Sequence, residues 1–131
     1  MNMEKIIELL QQRLPTLQAV YCFGSYATGH AGPQSDLDLA VLMPKAVDPV
    51  QLWALAGDVA DLAGVPVDLV DLRPASTVMQ FQVITHGQRL WDQGLAAGLF
   101  ECLVVSEKWA LDAARDGVLS DILKDGRVYG R

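Results

Sequence analysis

Gly24-Ser25-Tyr26-Ala27-Thr28-Gly29-His30-Ala31-Gly32-Pro33-Gln34-Ser35-Asp36-Leu37-Asp38-Leu39 lies between two short apolar runs, residues 19–23 before it and residues 39–43 after it. Each run has the length and composition of a β-strand. The Gly-Ser that closes the first run permits a sharp turn and exposes backbone N–H groups. A short helix over 25–30 turns those N–H groups and the Ser25 hydroxyl into a site for an anion such as phosphate. The second run opens on Asp36-x-Asp38. Strand side chains alternate, so both carboxylates project on one side, about 6.5–7 Å apart along the chain. Two ionised carboxylates held together call for a cation, and hard oxygen ligands suit Mg²⁺. A phosphate cradle beside a carboxylate metal site is what transfer of a phosphoryl or nucleotidyl group requires.

Gly24-Ser25, ten intervening residues and Asp36-x-Asp38 together resemble the signature of the polymerase-beta-like nucleotidyltransferases. The short chain and the wording Ser35-Asp36-Leu37-Asp38-Leu39 are similar to their smallest branch, the minimal nucleotidyltransferases. Gly-Ser alone or Asp-x-Asp alone carries little weight, because an isolated acidic pair more often caps a turn. Their joint spacing between two strand-like runs is specific. The resemblance implies an α/β (α+β) fold: a small mixed sheet of the palm type, flanked by helices and followed by C-terminal helices. It also implies ATP as substrate and Mg²⁺, as a pair of ions, as cofactor. Asp36, Asp38 and a third carboxylate would hold the metal and perform catalysis, and Gly24 and Ser25 would receive the nucleotide phosphates. Members of this branch commonly serve as antitoxins. The implied reaction is transfer of AMP to a hydroxyl, most simply a tyrosine, of a cognate HEPN-domain ribonuclease toxin, with which the chain forms a hetero-oligomer. Two alternatives stand beside it. One is an antitoxin that masks its partner by binding alone; the other is a small-molecule transferase of the aminoglycoside type, whose members generally carry an additional helical domain.

The third acid lies in a third strand-like run, Val67-Asp68-Leu69-Val70-Asp71-Leu72. Alternation puts Asp68 and Asp71 on opposite faces, so one belongs to the site and the other caps or faces solvent. The family pattern, a central-strand carboxylate between apolar residues, fits Asp68 better. Asp71, near the strand end, remains the alternative. Arg73 and Arg89 are candidates to neutralise pyrophosphate and His30 to touch phosphate, although nothing in their spacing singles them out. Surface ion pairs and a solvated histidine are the simpler readings.

With 131 residues the chain reads as one domain, a core over about 1–93 and a helical extension over about 95–125. A composition of 51% hydrophobic and 20% charged residues is globular, not disordered. The net charge of −6 lacks the basic balance of a sequence-independent nucleic-acid binder, so no direct nucleic-acid binding is expected. Cys22 and Cys102 each sit in apolar sequence and read as buried, reduced thiols. No run approaches the ~18–20 apolar residues that cross a bilayer, and no leader pattern precedes the first helix, so a cytoplasmic protein without membrane contact is expected.

Taken in order, the sequence predicts an amphipathic helix over 3–14 stopped by Pro15, a strand over 18–23, the short helix over 25–30 and a strand over 36–43. Asp48-Pro49 starts a helix that Gly64 ends near residue 63. Leu52, Leu55, Ala56, Val59, Leu62 and Ala63 form its apolar stripe. The third strand, a helix over 75–86, a strand over 88–92 and a long helix over 95–115 follow. Beyond it, residues 117–131 read as a separate short amphipathic piece and a polar tail. The apolar face of the long helix is wide; packing on the domain's own sheet is the simpler account, with a partner surface as the other. Trp53, Trp91 and Trp109 are placed in or near the core.

Overall fold

The computed structural model describes residues 1–32 and 35–125, with side-chain burial described to residue 118. Helix α1 (Met3–Arg13) starts where the Asn2 side chain accepts from the Lys5 N–H at 3.3 Å, satisfying one of the donors that a first turn leaves unpaired. Four strands follow: β1 (Ala19–Phe23), β2 (Leu37–Leu42), β3 (Val67–Asp71) and β4 (Gln88–Asp92). They form one mixed sheet in the order β3-β2-β1-β4. β1 pairs antiparallel with both β2 and β4, and β2 pairs parallel with β3. The parallel pair needs a crossover, supplied by α3 (Pro49–Ala63). Asp48 caps α3 by accepting from the Gln51 N–H at 3.4 Å, and Gly64 ends it in the left-handed region at φ 74°.

Strand alternation sends two sets of side chains to two cores. On one face Val20, Cys22, Leu37, Leu39, Val41 and Leu69 meet Ile6 and Leu10 of α1 and Leu55 and Val59 of α3. On the other, Ala19, Tyr21, Ala40 and Leu42 meet Val83 of α4 (Thr77–His86) and Ala97, Phe100 and Val104 of α5 (Leu95–Asp125). Each fully buried Leu or Val contributes about 1.5–3 kcal/mol of apolar transfer. The central strands β1 and β2, buried on both faces, therefore hold most of the stabilisation.

Gly87 is the tightest join between these layers. A Cβ there would lie 2.5 Å from the Val83 carbonyl oxygen and 2.7 Å from that of Cys22, both backbone atoms. Gly87→Ala is expected to lift the end of α4 off β1 and to destabilise the fold by about 1–3 kcal/mol, read as a lowered midpoint in urea unfolding.

Several expectations are corrected. The last helix is one element running through Gly117 to Asp125, not a helix to 115 followed by a separate piece. An interior glycine costs a helix only about 1 kcal/mol relative to alanine, too little to stop it by itself. Trp53 is 80% and Trp109 69% exposed, and only Trp91 is half-buried against the core. Leu62 is exposed, and Cys102 is exposed while Cys22 is buried; both thiols are free. The expected tail beyond Asp125 lies outside the described residues. Among the described residues no helix is long and apolar enough to cross a membrane.

Candidate active site

Gly24 ends β1 and caps the short helix α2 (Ser25–Thr28) at φ 71° and ψ −152°, a backbone region essentially reserved for glycine. Its carbonyl accepts from the Ala27 and Thr28 N–H groups at 3.1 and 3.2 Å and from the Thr28 hydroxyl at 3.3 Å. The tight turn is thereby fixed from within. Ser25 opens the helix, and the N–H groups ahead of Ala27 have no helical carbonyl to donate to. Gln88 of β4 donates to the Ala27 carbonyl at 3.2 Å and ties this turn to the sheet edge.

On β2, Leu37 and Leu39 point into the α1/α3 core, so Asp38 points to the opposite face, the one covered by α4 and α5. Asp36 lies just before the strand, near enough for its charge to act on Asp38. The chain enters β2 from a turn closed by the Ser35 hydroxyl, which accepts from the Gly32 N–H at 2.8 Å, and by the Leu37 N–H, which donates to the Pro66 carbonyl at 2.9 Å. Asp38 also faces Gly24, where an added Cβ would overlap its Oδ2 atom.

The parallel register sets Asp38 directly beside Asp68 of β3, on the same face. Asp71 sits differently. Its Oδ2 accepts from the Val47 N–H at 2.6 Å, so this acid pins the connection between β2 and α3, while its buried Oδ1 has no partner among the described residues. Partial burial raises the Asp38 carboxyl above the usual carboxylate range, and the charges of Asp68 and Asp36 raise it further.

Among the described residues no three His, Cys, Asp or Glu side chains stand close enough together to form a metal cage. Mg²⁺ seldom uses such a cage. It keeps several waters and is held by one or two carboxylates together with substrate phosphates. Two adjacent carboxylates, Asp38 and Asp68, beside the Gly24 turn fit this ion. The two arginine candidates are engaged elsewhere. Arg89 pairs with Glu101 at 2.8 Å and Asp92 at 3.6 Å. Arg73 donates to the Met43 carbonyl and to Gln18, each at 2.9 Å, and lies over the Phe100 ring. His30 is exposed, its Nδ1 3.0 Å from the Thr28 hydroxyl.

Sequence reasoning passed over the Glu101 junction. The Tyr21 hydroxyl donates to Glu101 Oε2 at 2.8 Å, and Arg89 meets the same oxygen at 2.8 Å. Burial, then the bond to Glu101, pushes the Tyr21 phenol far above its ordinary range, so it stays a neutral donor. β1, β4 and α5 are fastened together at this point. No local motif marks it, since the three residues are remote in sequence.

A family model for polymerase beta, nucleotidyltransferase, matches residues 4–94. The protein adenylyltransferase MntA of Shewanella oneidensis is 41% identical over 123 residues, covering 94% of this chain and 88% of that protein. A chain of a toxin–antitoxin crystal structure with AMP-PNP superposes with a TM-score of 0.83 at 41% identity, over 94% of this chain and 99% of that one. A chain from the complex of tri-AMPylated Shewanella oneidensis HEPN toxin with MNT antitoxin superposes with a TM-score of 0.75 at 39% identity, over 92% and 94% of the two chains.

Proposed function

The chain belongs to the polymerase beta nucleotidyltransferase family, and from that premise we propose that it is an antitoxin enzyme which transfers AMP from ATP to a tyrosine hydroxyl of a cognate HEPN-domain toxin. The observation that carries this reading is Asp38, paired with Asp68 across the parallel strands, held against the Gly24 turn and within reach of the Asp36 charge. These acids stand in a chain that aligns over nearly its whole length with a protein adenylyltransferase and with antitoxins crystallised beside their toxins. Residues 1–93 act as the catalytic core, 95–125 as its helical extension, and the protein works in the cytoplasm.

Asp36, Asp38 and Asp68 would hold Mg²⁺, which when bound would supply charge neutralisation at the phosphates and polarisation of the phosphorus under attack. Gly24 leaves room for the phosphate chain to approach the backbone, and Ser25 offers its hydroxyl and N–H to the β- and γ-phosphates. Asp68, exposed on the edge strand beside Asp38, is placed to accept the proton of the incoming hydroxyl. The acceptor oxygen forms its bond to the α-phosphorus as the bond to pyrophosphate breaks. The arrangement asks for an acceptor whose hydroxyl protrudes, because the acids lie at an open sheet end and not in a closed cavity.

Intact-mass spectrometry of the cognate HEPN protein, after incubation with this protein, Mg²⁺ and each nucleoside triphosphate in turn, tests the reading. One or more AMP increments with ATP, lost without metal, are expected. A tight complex with no mass gain would leave masking by contact as the function.

A further inference from the structure

We propose that the outward face of α5 is the surface on which the acceptor protein docks. The partner it fits presents an apolar helical stripe bordered by basic side chains. The inference rests on the proposed transfer to a protein acceptor and adds where that acceptor is held.

Of the α5 residues whose burial is described, Ala97, Phe100 and Val104 alone are buried on the sheet side. The helix continues from Val104 to Asp125, roughly 30 Å at the α-helical rise, and none of its residues described after Val104 is buried. A single helix projecting this far gains little from propensity alone and is marginal in water unless a face is covered. The face available is defined by spacing. Leu95, Leu99 and Leu103, at 77%, 60% and 52% exposure, stand one turn apart on the side away from the sheet. The line continues through Ser106, Ala110 and Ala113, with Trp109 beside it at 69% exposure. No charge interrupts it; Glu101, Lys108 and Asp112 lie round the helix, the last two paired at 2.8 Å. Large apolar residues at one end and small ones at the other are what a second helix packs against.

Three observations select the occupant. The match to the general nucleotidyltransferase model stops at residue 94, just before α5 begins. The match to antitoxins crystallised with their toxins runs over 94% and 92% of this chain and so takes in most of α5. The helix is thus shared with proteins crystallised with a toxin and lies beyond the part that the general nucleotidyltransferase model matches. Its place in the fold agrees, for α5 covers the sheet face from which Asp38 and Asp68 project, and the Glu101 junction with Tyr21 and Arg89 fixes its direction relative to them. Charge decides against a second copy. The chain carries −6, so self-association would bring like charge to like charge, whereas a basic border on the partner is attracted.

The test compares wild type, Leu99→Glu/Leu103→Glu and, as a control for exposed apolar surface elsewhere, Trp53→Ala. Affinity for the cognate HEPN protein, AMP transfer to it, ATP affinity and the oligomeric state of the chain alone are measured. The double variant is expected to weaken the complex on the order of 100-fold and to raise KM for the acceptor, with ATP affinity unchanged and Trp53→Ala like wild type. Equal acceptor affinity in the double variant, while wild type transfers AMP, overturns the docking surface and leaves the enzymatic reading intact. A complex that depends on Leu99 and Leu103 without any AMP transfer supports the surface and removes the reaction. A self-dimer of the free chain that the same variant dissolves assigns the face to a second copy and overturns the proposal.

Discussion

Asp38→Asn is expected to abolish AMP transfer, by on the order of 10³-fold or more, and at the same time to make the unliganded protein more stable. Both effects have one origin. Asp38 sits between Gly24 and Asp68, partly removed from water, and the charges of Asp68 and Asp36 disfavour its ionisation. Its carboxyl is raised in the native state, so at neutral pH the ionised form is a burden on the fold. Between the unfolded and the native values of this group, the native protein holds a proton that the unfolded chain has lost. Stability of the metal-free wild type should therefore rise as pH falls through that window, and fall as pH rises through it. Metal and nucleotide binding need the ionised form, so their affinity should weaken over the same range. Asparagine keeps the shape without the charge, so the variant should show a higher melting temperature at neutral pH and lose this group's contribution to the pH slope. Calorimetric scans from neutral pH downward, with and without Mg²⁺ and a non-hydrolysable ATP analogue, check both halves. An Asp38→Asn protein that still transfers AMP at near wild-type rate would remove this carboxylate from the reaction.

How far a sequence discloses such a site depends on the range of the interaction that forms it. Gly24-Ser25 and Asp36-x-Asp38 are local patterns. The turn needs a residue tolerating φ 71°, and alternation alone puts the two acids on one side. The choice between Asp68 and Asp71 is not local. It turns on the parallel register that sets Asp68 beside Asp38, and on Val47, 24 residues before Asp71, whose N–H engages the other acid. The Glu101 junction joins Tyr21 to a residue 80 positions away and leaves no trace in any window of sequence. Hydrophobicity misleads in a different way. Trp53, Trp109 and Cys102 are apolar by type and stand in helical periodicities, so they read as core; but periodicity defines a face without saying what lies opposite it. On α5 the sheet takes one narrow face, Ala97, Phe100 and Val104, and the apolar residues on the far side are left to another surface.

Gly24→Ala carries the second large effect, and it separates backbone geometry from charge, since no ionisable group is altered. Two independent penalties meet at this position. The backbone lies at φ 71° and ψ −152°, where an L-residue with a Cβ is strained by roughly 1–3 kcal/mol. The added methyl would also overlap Asp38 Oδ2, so either the Asp38 side chain rotates away or the end of β1 moves. Displacing the carboxylate is the easier response, because it is only half-buried, whereas Cys22 and Tyr21 just before the turn are fixed in the two cores. Activity should accordingly suffer more than stability. AMP transfer is expected to fall on the order of 100-fold or more, as an ångström-scale misplacement of a catalytic group commonly produces, while the unfolding free energy drops by about 1–3 kcal/mol. The acceptor complex should survive, because α5 is anchored through Tyr21, Arg89 and Glu101 and not through the Gly24 turn. Single-turnover transfer rates, urea unfolding and toxin affinity measured on one preparation distinguish the cases. Loss of all three together would mean that the turn holds up the fold. Loss of transfer alone would locate the contribution of Gly24 in the space it leaves between the phosphates and Asp38.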